Sequence, residues 1–130
     1  MDSLSRCSHL KTLPSPGNRL DYVVHLEGQI PCRGGAVSVS LRYIPDKLIL
    51  NPEGFGKYLS FLSSGEPVLL EQLAVMVMED INNETVARWI QVFVSGPENA
   101  YPEIGRHGVL AEDRQPKWDN SALLARLKRI

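Results

Sequence analysis

The strand at residues 36–43 and the corner after it constrain the fold more than any other part of the sequence. Apolar and polar side chains alternate along this segment with a period of two, which is the pattern of a half-buried strand. The two faces are Val37, Val39 and Leu41 on one side and Ser38, Ser40 and Arg42 on the other. The corner Tyr43-Ile44-Pro45-Asp46-Lys47 then ends the strand. Such a segment belongs in a sheet that packs one face against a core.

The segments around the corner predict a β-β-α-α-β order. Residues 20–26 are rich in β-forming side chains, and we expect them to pair with residues 36–43 as an antiparallel hairpin across a glycine-rich loop at 28–35. A first helix is expected after Asn51, which can cap it, with Pro52 in the first turn. Its apolar residues keep helical spacing: Phe55, Tyr58, Leu59 and Leu62.

A second helix and a third strand complete this order. The helix opens at Pro67 and runs through about Asp80, because its apolar residues form one broad stripe. The stripe consists of Leu69, Leu70, Leu73, Ala74, Met76, Val77 and Ile81. Residues 86–94 are β-branched and aromatic, which predicts a strand. We expect two of its aromatic residues in the core, Trp89 and Phe93. After it we expect a short fourth strand at residues 107–110 and a short helix at residues 120–127.

These elements predict an α+β domain in which two helices cover one face of an antiparallel sheet. We expect a flexible leader over residues 1–18 and a single domain over residues 19–130, which ends in a helical tail at 118–130. The sheet has two exposed edges, and pairing with further copies of the chain would remove them. The sequence therefore favours a homo-oligomer.

Charge and composition argue against several classes of function. The net charge is -1 and the pI is about 6.3, so the chain lacks the basic surface of a nucleic-acid-binding protein. No apolar run is long enough to span a bilayer, and the N-terminus lacks the apolar core of a signal peptide. We therefore expect a cytoplasmic protein that binds neither nucleic acid nor membranes. The two cysteines are too few for a disulfide framework, and no Cys/His cluster has the spacing of a metal site.

The residues around Glu71 in the sequence mark it as a candidate binding residue. It lies at the start of the second predicted helix among apolar residues, where a buried carboxylate without a partner would be costly. Glu71 therefore either anchors a ligand or is a first-turn glutamate that the helix dipole stabilises. The surroundings of Glu71 in the sequence leave both interpretations open.

The element order and the corner from Tyr43 to Lys47 resemble the tunnelling fold. Within that superfamily the resemblance is strongest to the QueF-type 7-cyano-7-deazaguanine nitrile reductases of queuosine biosynthesis, and it covers roughly residues 22–94. In that family a catalytic cysteine lies in the first hairpin loop, and a His-Glu pair opens the second helix. The resemblance implies a closed ring of subunits that binds a planar purine-, deazaguanine- or pterin-like heterocycle at a subunit interface.

The resemblance also implies roles for four residues. Cys32 would add its thiolate to the nitrile and form a thioimide, which NADPH reduces in that family. Glu71 would hold the N–H edge of the heterocycle, and Leu70 stands where the family has its histidine. Lys57 would be the remaining cation for the phosphates of NADPH. No residue is assigned to a metal.

Three departures from the family pattern bear on the activity. No aspartate or glutamate lies between Cys32 and Asp46, so the family's proton-donating aspartate has no counterpart there. The lysine-rich cofactor signature is reduced to Lys57, and the histidine is replaced by Leu70. Binding chemistry is therefore better retained than NADPH-dependent reduction, and the cofactor is left open.

Other interpretations of the chain stay open. The same adduct could transfer an amine to the nitrile without NADPH, or the chain could be a non-catalytic binding or structural module. A pterin-pathway enzyme is a third alternative, although a zinc-dependent cyclohydrolase would need metal ligands. Cys32 could also be a small buried hydrophobe, Lys57 a solvated helix residue and His25 a hydrogen-bonded structural histidine.

Overall fold

Six strands and four helices form the part of the chain that the computed structural model describes, residues 3–32 and 34–128. In chain order they are α1 (Ser3–Cys7), β1 (Thr12–Pro14), β2 (Val24–Cys32), β3 (Gly35–Ile44), β4 (Leu48–Leu50), α2 (Pro52–Ser63), α3 (Leu70–Thr85), β5 (Trp89–Ser95), β6 (Gly108–Arg114) and α4 (Ser121–Leu124). The main sheet has the strand order β2-β3-β5-β6 with antiparallel neighbours, and a second sheet pairs β1 with β4. The predicted α+β class is confirmed.

One face of the main sheet supplies the core. The central strands β3 and β5 place Leu41 opposite Val92 and Tyr43 opposite Ile90, and all four side chains are fully buried. Helix α2 packs on β2, and α3 packs on β5 and β6, so the two long helices cover this face. The alternation along residues 36–43 therefore separates a core face from a polar face, as the sequence predicts.

The opposite face of the sheet carries polar and aromatic side chains. Arg42 donates from Nε to Gln91 Oε1 at 2.9 Å and from Nη1 to the backbone carbonyl of Lys128 at 2.6 Å. Trp89 is buried and Phe93 is half-buried, but both alternate along β5 with the residues of the helix-covered core. They line a cavity with two side chains of the C-terminal segment, Leu124 and Leu127. Trp89 and Phe93 were predicted to lie in the core. They lie instead on the face of the sheet that the two long helices do not cover.

Helix α2 is capped as the sequence predicts, and two glycines allow it to pack closely. Asn51 Oδ1 accepts a hydrogen bond from the backbone N–H two residues later, at 2.9 Å. A Cβ atom on Gly28 of β2 would collide with Leu59 Cδ1, so a larger residue where α2 crosses this strand would force the Leu59 side chain to move. A Cβ atom on Gly54 would lie 2.9 Å from the carbonyl oxygen of His9, where the N-terminal segment crosses the helix.

The first hairpin is longer than the sequence predicts. The predicted loop at 28–35 is wrong over most of its length, because β2 stays paired with β3 until Cys32 lies opposite Gly35. Gly34 is the described residue between the two paired strands. Glycines and Pro31 made this stretch look irregular, but cross-strand pairing outweighs their low β-propensity.

The later elements also have shifted boundaries. Helix α3 begins at Leu70 instead of Pro67 and continues for five residues beyond its predicted end at Asp80, and Val86 follows it in the left-handed conformation. Strand β5 consequently begins at Trp89 instead of residue 86. Strand β6 is confirmed and is longer than the predicted 107–110, because it pairs with β5 along its whole length. The predicted C-terminal helix is confirmed as α4, although it is shorter.

The N-terminal residues pack against the domain, whereas the sequence predicts a flexible leader over residues 1–18. Arg6 of α1 donates from Nε and Nη2 to the two oxygens of Asp80 in α3, at 2.7 and 3.1 Å. Tyr58 of α2 donates to the same carboxylate at 2.7 Å. Leu10 is buried in the core, and β1 pairs with β4. No local pattern in a polar segment could have indicated an ion pair between residues 74 positions apart.

Replacing Arg6 by alanine should lower the free energy of unfolding by about 3–5 kcal/mol, because Asp80 is nearly fully buried and would lose its charged partner. Urea unfolding monitored by circular dichroism measures this change. Arg19→Ala, which removes an exposed arginine from the same segment, is the control and should change stability little. Equal stability of the Arg6→Ala and wild-type chains would contradict the structural role of this ion pair.

Val86→Gly should raise the free energy of unfolding by about 1 kcal/mol, since Val86 has φ 46° and ψ 56°, a region in which a β-branched residue is strained. Its side chain is 59% exposed, so little packing is lost. The same substitution within α3, Val75→Gly, should have the opposite sign because glycine weakens a helix interior. A loss of stability in Val86→Gly would show that the strain is absent.

Candidate functional site

A groove of about 840 Å³ separates the end of the β2–β3 hairpin from the connection between α2 and α3. Most of its lining is apolar or small, and its charged and nucleophilic side chains among the described residues are Glu66 and Cys32. The lining residues are Ile30, Pro31, Cys32, Val37, Leu62, Ser63, Ser64, Gly65, Glu66, Pro67, Val68, Leu73 and Met76. An apolar cleft with a few polar groups is the usual form of a small-molecule site.

Cys32 is the last residue of β2 and is exposed, so it is not the small buried hydrophobe that the sequence left open. The chain can turn immediately after it because Gly34 has φ +89° and Gly35 has φ +144°, conformations that favour glycine. The hairpin pairing fixes the position of Cys32 at the end of the strand, opposite Gly35. Arg33, the residue next to the thiol in the sequence, lies outside the described residues.

Glu66 is a carboxylate of this groove that sequence reasoning missed. The family pattern predicts an acid in the segment after Cys32, whereas Glu66 lies on the connection between α2 and α3 and reaches the groove from its other wall. Its signal in the sequence was only its place between the helix-breaking Ser63-Ser64-Gly65 and Pro67. The fold thus brings a thiol and a carboxylate to one cavity.

Glu71 lies in the first turn of α3, and its side chain is 61% exposed, so the burial that the sequence suggests for this carboxylate is wrong. Its Oε2 atom is 3.1 Å from Nε2 of His107, which donates to it. The pKa of Glu71 is held below its ordinary value, first by its own backbone N–H, which is free at the start of the helix, and then by His107. Glu71 is therefore a carboxylate near neutral pH, as an anchor for N–H groups must be.

Helix α3 starts without a side-chain cap on Leu69, and neighbouring residues complete the start. Gln72 Oε1 accepts a hydrogen bond from the backbone N–H of Leu69 at 3.0 Å. Leu70, which the resemblance places beside the ligand, is half-buried and packs against the core. The orientation of Leu70 and Glu71 follows from this start, because consecutive helix positions point about 100° apart.

His107 is the second residue of the site that sequence reasoning missed. It immediately precedes β6, and its carbonyl oxygen accepts a hydrogen bond from the backbone N–H of Gly96 at 2.9 Å. Its ring lies 6.3 Å from the ring of Tyr101. The sequence offered no signal for its pairing with Glu71, since the two residues are 36 positions apart.

Lys57, predicted as the remaining cation for a cofactor, lies on the exposed side of α2. Its Nζ is 3.6 Å from Glu53 Oε1, one helical turn earlier. Lys57 does not line the groove of Cys32. An exposed pair of this kind contributes only a few tenths of a kcal/mol to stability.

Glu71 and Cys32 lie on two adjoining surfaces of the chain. Glu71 lines a shallow surface along α3 together with Gln72, Val75, Met76 and Glu79. Met76 also lines the groove of Cys32, so the two surfaces meet at this residue. Within residues 3–32 and 34–128, no three His, Cys, Asp or Glu side chains are grouped to hold a metal ion. No helix in the same ranges is long and apolar enough to cross a membrane.

The two cysteines should differ in reactivity. Burial raises the pKa of Cys7 to about 11, so only roughly one Cys7 thiol in a thousand is ionised at pH 8, whereas Cys32 is exposed. Iodoacetamide at pH 8 should therefore alkylate Cys32 first, and intact mass followed by peptide mapping identifies the site. In a Cys32→Ala chain, labelling should be slow and should accelerate as the pH rises towards 11. Faster labelling of Cys7 than of Cys32 at pH 8 would contradict the structure.

Comparison with known proteins finds similar solved structures but no similar family or curated sequence. No family model and no curated protein matches the sequence. The structure is similar to that of the archaeosine synthase QueF-Like in the apo form, with 25% sequence identity and a TM-score of 0.54, over 70% of this chain and 90% of the other. A protein of Vibrio cholerae assigned as a dihydroneopterin aldolase (FolB) matches with 15% identity and a TM-score of 0.42, over 82% and 97% of the two chains.

Proposed function

We propose that this chain, a tunnelling-fold protein with a QueF-like relationship, binds a planar guanine-like heterocycle and adds Cys32 to a nitrile on it. The observation that carries the proposal is the groove in which Cys32 ends a strand opposite the loop before α3. The likeness to an archaeosine synthase, which extends over nine-tenths of that chain, supports an activity of the QueF-like type.

Glu71 would anchor the heterocycle through its N–H edge. A carboxylate accepts two parallel hydrogen bonds, which matches the adjacent ring N–H and exocyclic amine of a guanine-like base. The lowered pKa of Glu71 supports this role, since a protonated carboxyl group would accept fewer bonds. The start of α3 adds backbone N–H groups that favour negative charge at this place.

The covalent step needs only the thiol and the nitrile. The sulfur of Cys32 bonds to the nitrile carbon, one π pair of the nitrile moves to its nitrogen, and the thiol proton ends on that nitrogen. The product is a thioimide that contains every atom of both reactants. We propose Glu66 as the group that relays this proton, because it is the carboxylate on the wall opposite Cys32.

An amine is the co-reactant that best fits the residues present. A primary amine or ammonia would attack the thioimide carbon, the C–S bond would break, and the thiol would be restored while an amidine leaves. NADPH-dependent reduction is less supported, because Lys57 is engaged with Glu53 away from the groove. The step from thioimide to amidine needs no oxidant or reductant.

The ligand would bind between two copies of the chain. Strands β2 and β6 are the edges of the main sheet, and Gln29, Ser38, Ser95 and Gly108 are aligned across its four strands. Cys32 and His107 therefore lie at the same end of the sheet on opposite edges. Antiparallel pairing of β2 with β6 of a second copy would bring the groove of one copy to the Glu71 surface of the next.

A non-catalytic binding module is the second candidate function. It is favoured by the replacement of the family's histidine with Leu70, which packs against the core, and by the missing acid after Cys32. In that case Glu71 would bind the heterocycle and Cys32 would form no adduct.

Incubation with 7-cyano-7-deazaguanine, followed by intact mass spectrometry, distinguishes the two candidates. The wild-type chain should gain the whole mass of the probe, because addition expels no group, and Cys32→Ala should gain none.

Glu71→Gln should weaken binding at least about tenfold in calorimetry, as one hydrogen-bonding oxygen becomes a donor. Glu53→Gln, which changes the first-turn glutamate of α2, is the control and should bind like wild type. Binding without an adduct would support the module, and no binding would overturn both functions.

A further inference from the structure

The carboxylate that we propose as the ligand anchor is held by a residue of another element. Glu71 is on α3, whereas His107 precedes β6, and Nε2 of His107 donates to Glu71 Oε2 at 3.1 Å. Because a carboxylate is an acceptor only, Nε2 must carry the hydrogen of this bond. His107 thus uses one lone pair of Oε2, and both oxygens of Glu71 keep a lone pair for the two hydrogen bonds of a ligand.

His107 is itself fixed more firmly than a surface side chain usually is. Its carbonyl accepts the backbone N–H of Gly96, which closes the end of the β5–β6 ladder. Its side chain is only 32% exposed, and its ring lies beside that of Tyr101. The donor atom therefore has a defined position before any ligand arrives.

A fixed donor matters because glutamate has three rotatable side-chain bonds. An exposed first-turn glutamate populates several rotamers, and a ligand that needs one of them must restrict the others. Leu70 cannot restrain Glu71 through a hydrogen bond, because its side chain is apolar and packs against the core. The hydrogen bond from His107 supplies this restraint on the Glu71 carboxylate.

We propose that His107 is a positioning residue of the ligand site, which holds the Glu71 carboxylate in the orientation that receives the N–H edge of a guanine-like base. This inference rests on the proposed function and adds a residue of β6 to it. His107 acts through Glu71 and need not touch the ligand. The nearest alternative is an exposed ion pair without effect on binding, which is common on protein surfaces.

Calorimetry with 7-cyano-7-deazaguanine on the full chain tests the inference. His107→Ala should weaken binding about tenfold, the usual effect of one hydrogen bond to a charged group. His107→Gln retains an N–H donor and should recover most of the affinity. Arg106→Ala removes the neighbouring exposed cation, which pairs with Glu98 at 3.8 Å, and is the matched control that should bind like wild type.

Two readouts separate positioning from a purely structural effect. In His107→Ala, carboxyl NMR should show the pKa of Glu71 rising towards its ordinary value, because one of the hydrogen bonds that lower it is lost. In a Glu71→Gln chain, adding His107→Ala should cause little further loss of affinity, because His107 acts through the carboxylate.

The outcomes distinguish this inference from the function on which it rests. If wild type binds the probe, Glu71→Gln weakens it and His107→Ala does not, the inference is overturned and the proposed function stands. Additive losses in the double variant, or no recovery in His107→Gln, would also overturn it. If wild type does not bind the probe, the proposed function fails and the inference falls with it.

Discussion

The buried carboxylate of Asp80 is the interaction on which the arrangement of the helices depends. Asp80 lies on α3 and accepts hydrogen bonds from Arg6 of α1 and Tyr58 of α2. A charge in this place would be very costly without such partners, so the sequence can retain it only if all three helices meet there. The groove lies where the same two helices are connected, away from this junction.

Local sequence patterns predicted the helices and strands, whereas contacts between distant residues determined where those helices and strands begin and end. The period of two over residues 36–43 and the cap at Asn51 were sufficient for β3 and α2, because both signals act within a few residues. The end of β2 and the packing of the N-terminal residues could not be predicted in this way. They depend on pairing with β3 and on Asp80, which are contacts between distant positions. The tunnelling fold suggested by the corner is confirmed by the solved-structure match.

The sequence identified the reactive groups of the candidate site but not the residues that pair with them. Cys32 and Glu71 were identifiable because each occupies a definite place relative to a strand end or a helix start. Glu66 and His107 come from separate elements, and only the folded chain brings them to these groups. The roles of Cys32, Glu71, Leu70 and Lys57 remain predictions. Lys57 illustrates the limit of a positional match, since its side chain is exposed and paired with Glu53.

The separation of Cys32 and Glu71 onto adjoining surfaces has a consequence for assembly. Under the proposed function, each copy would carry two different half-sites, a nucleophilic one at β2 and an anchoring one at α3 and β6. A complete site would then form only where two copies are in contact. The number of complete sites would follow the fraction of copies that are in closed assemblies. Two inactive chains, one defective in each half, would complement each other in a mixed ring. Under the proposed function, dilution that separates the copies would abolish adduct formation without altering any individual fold.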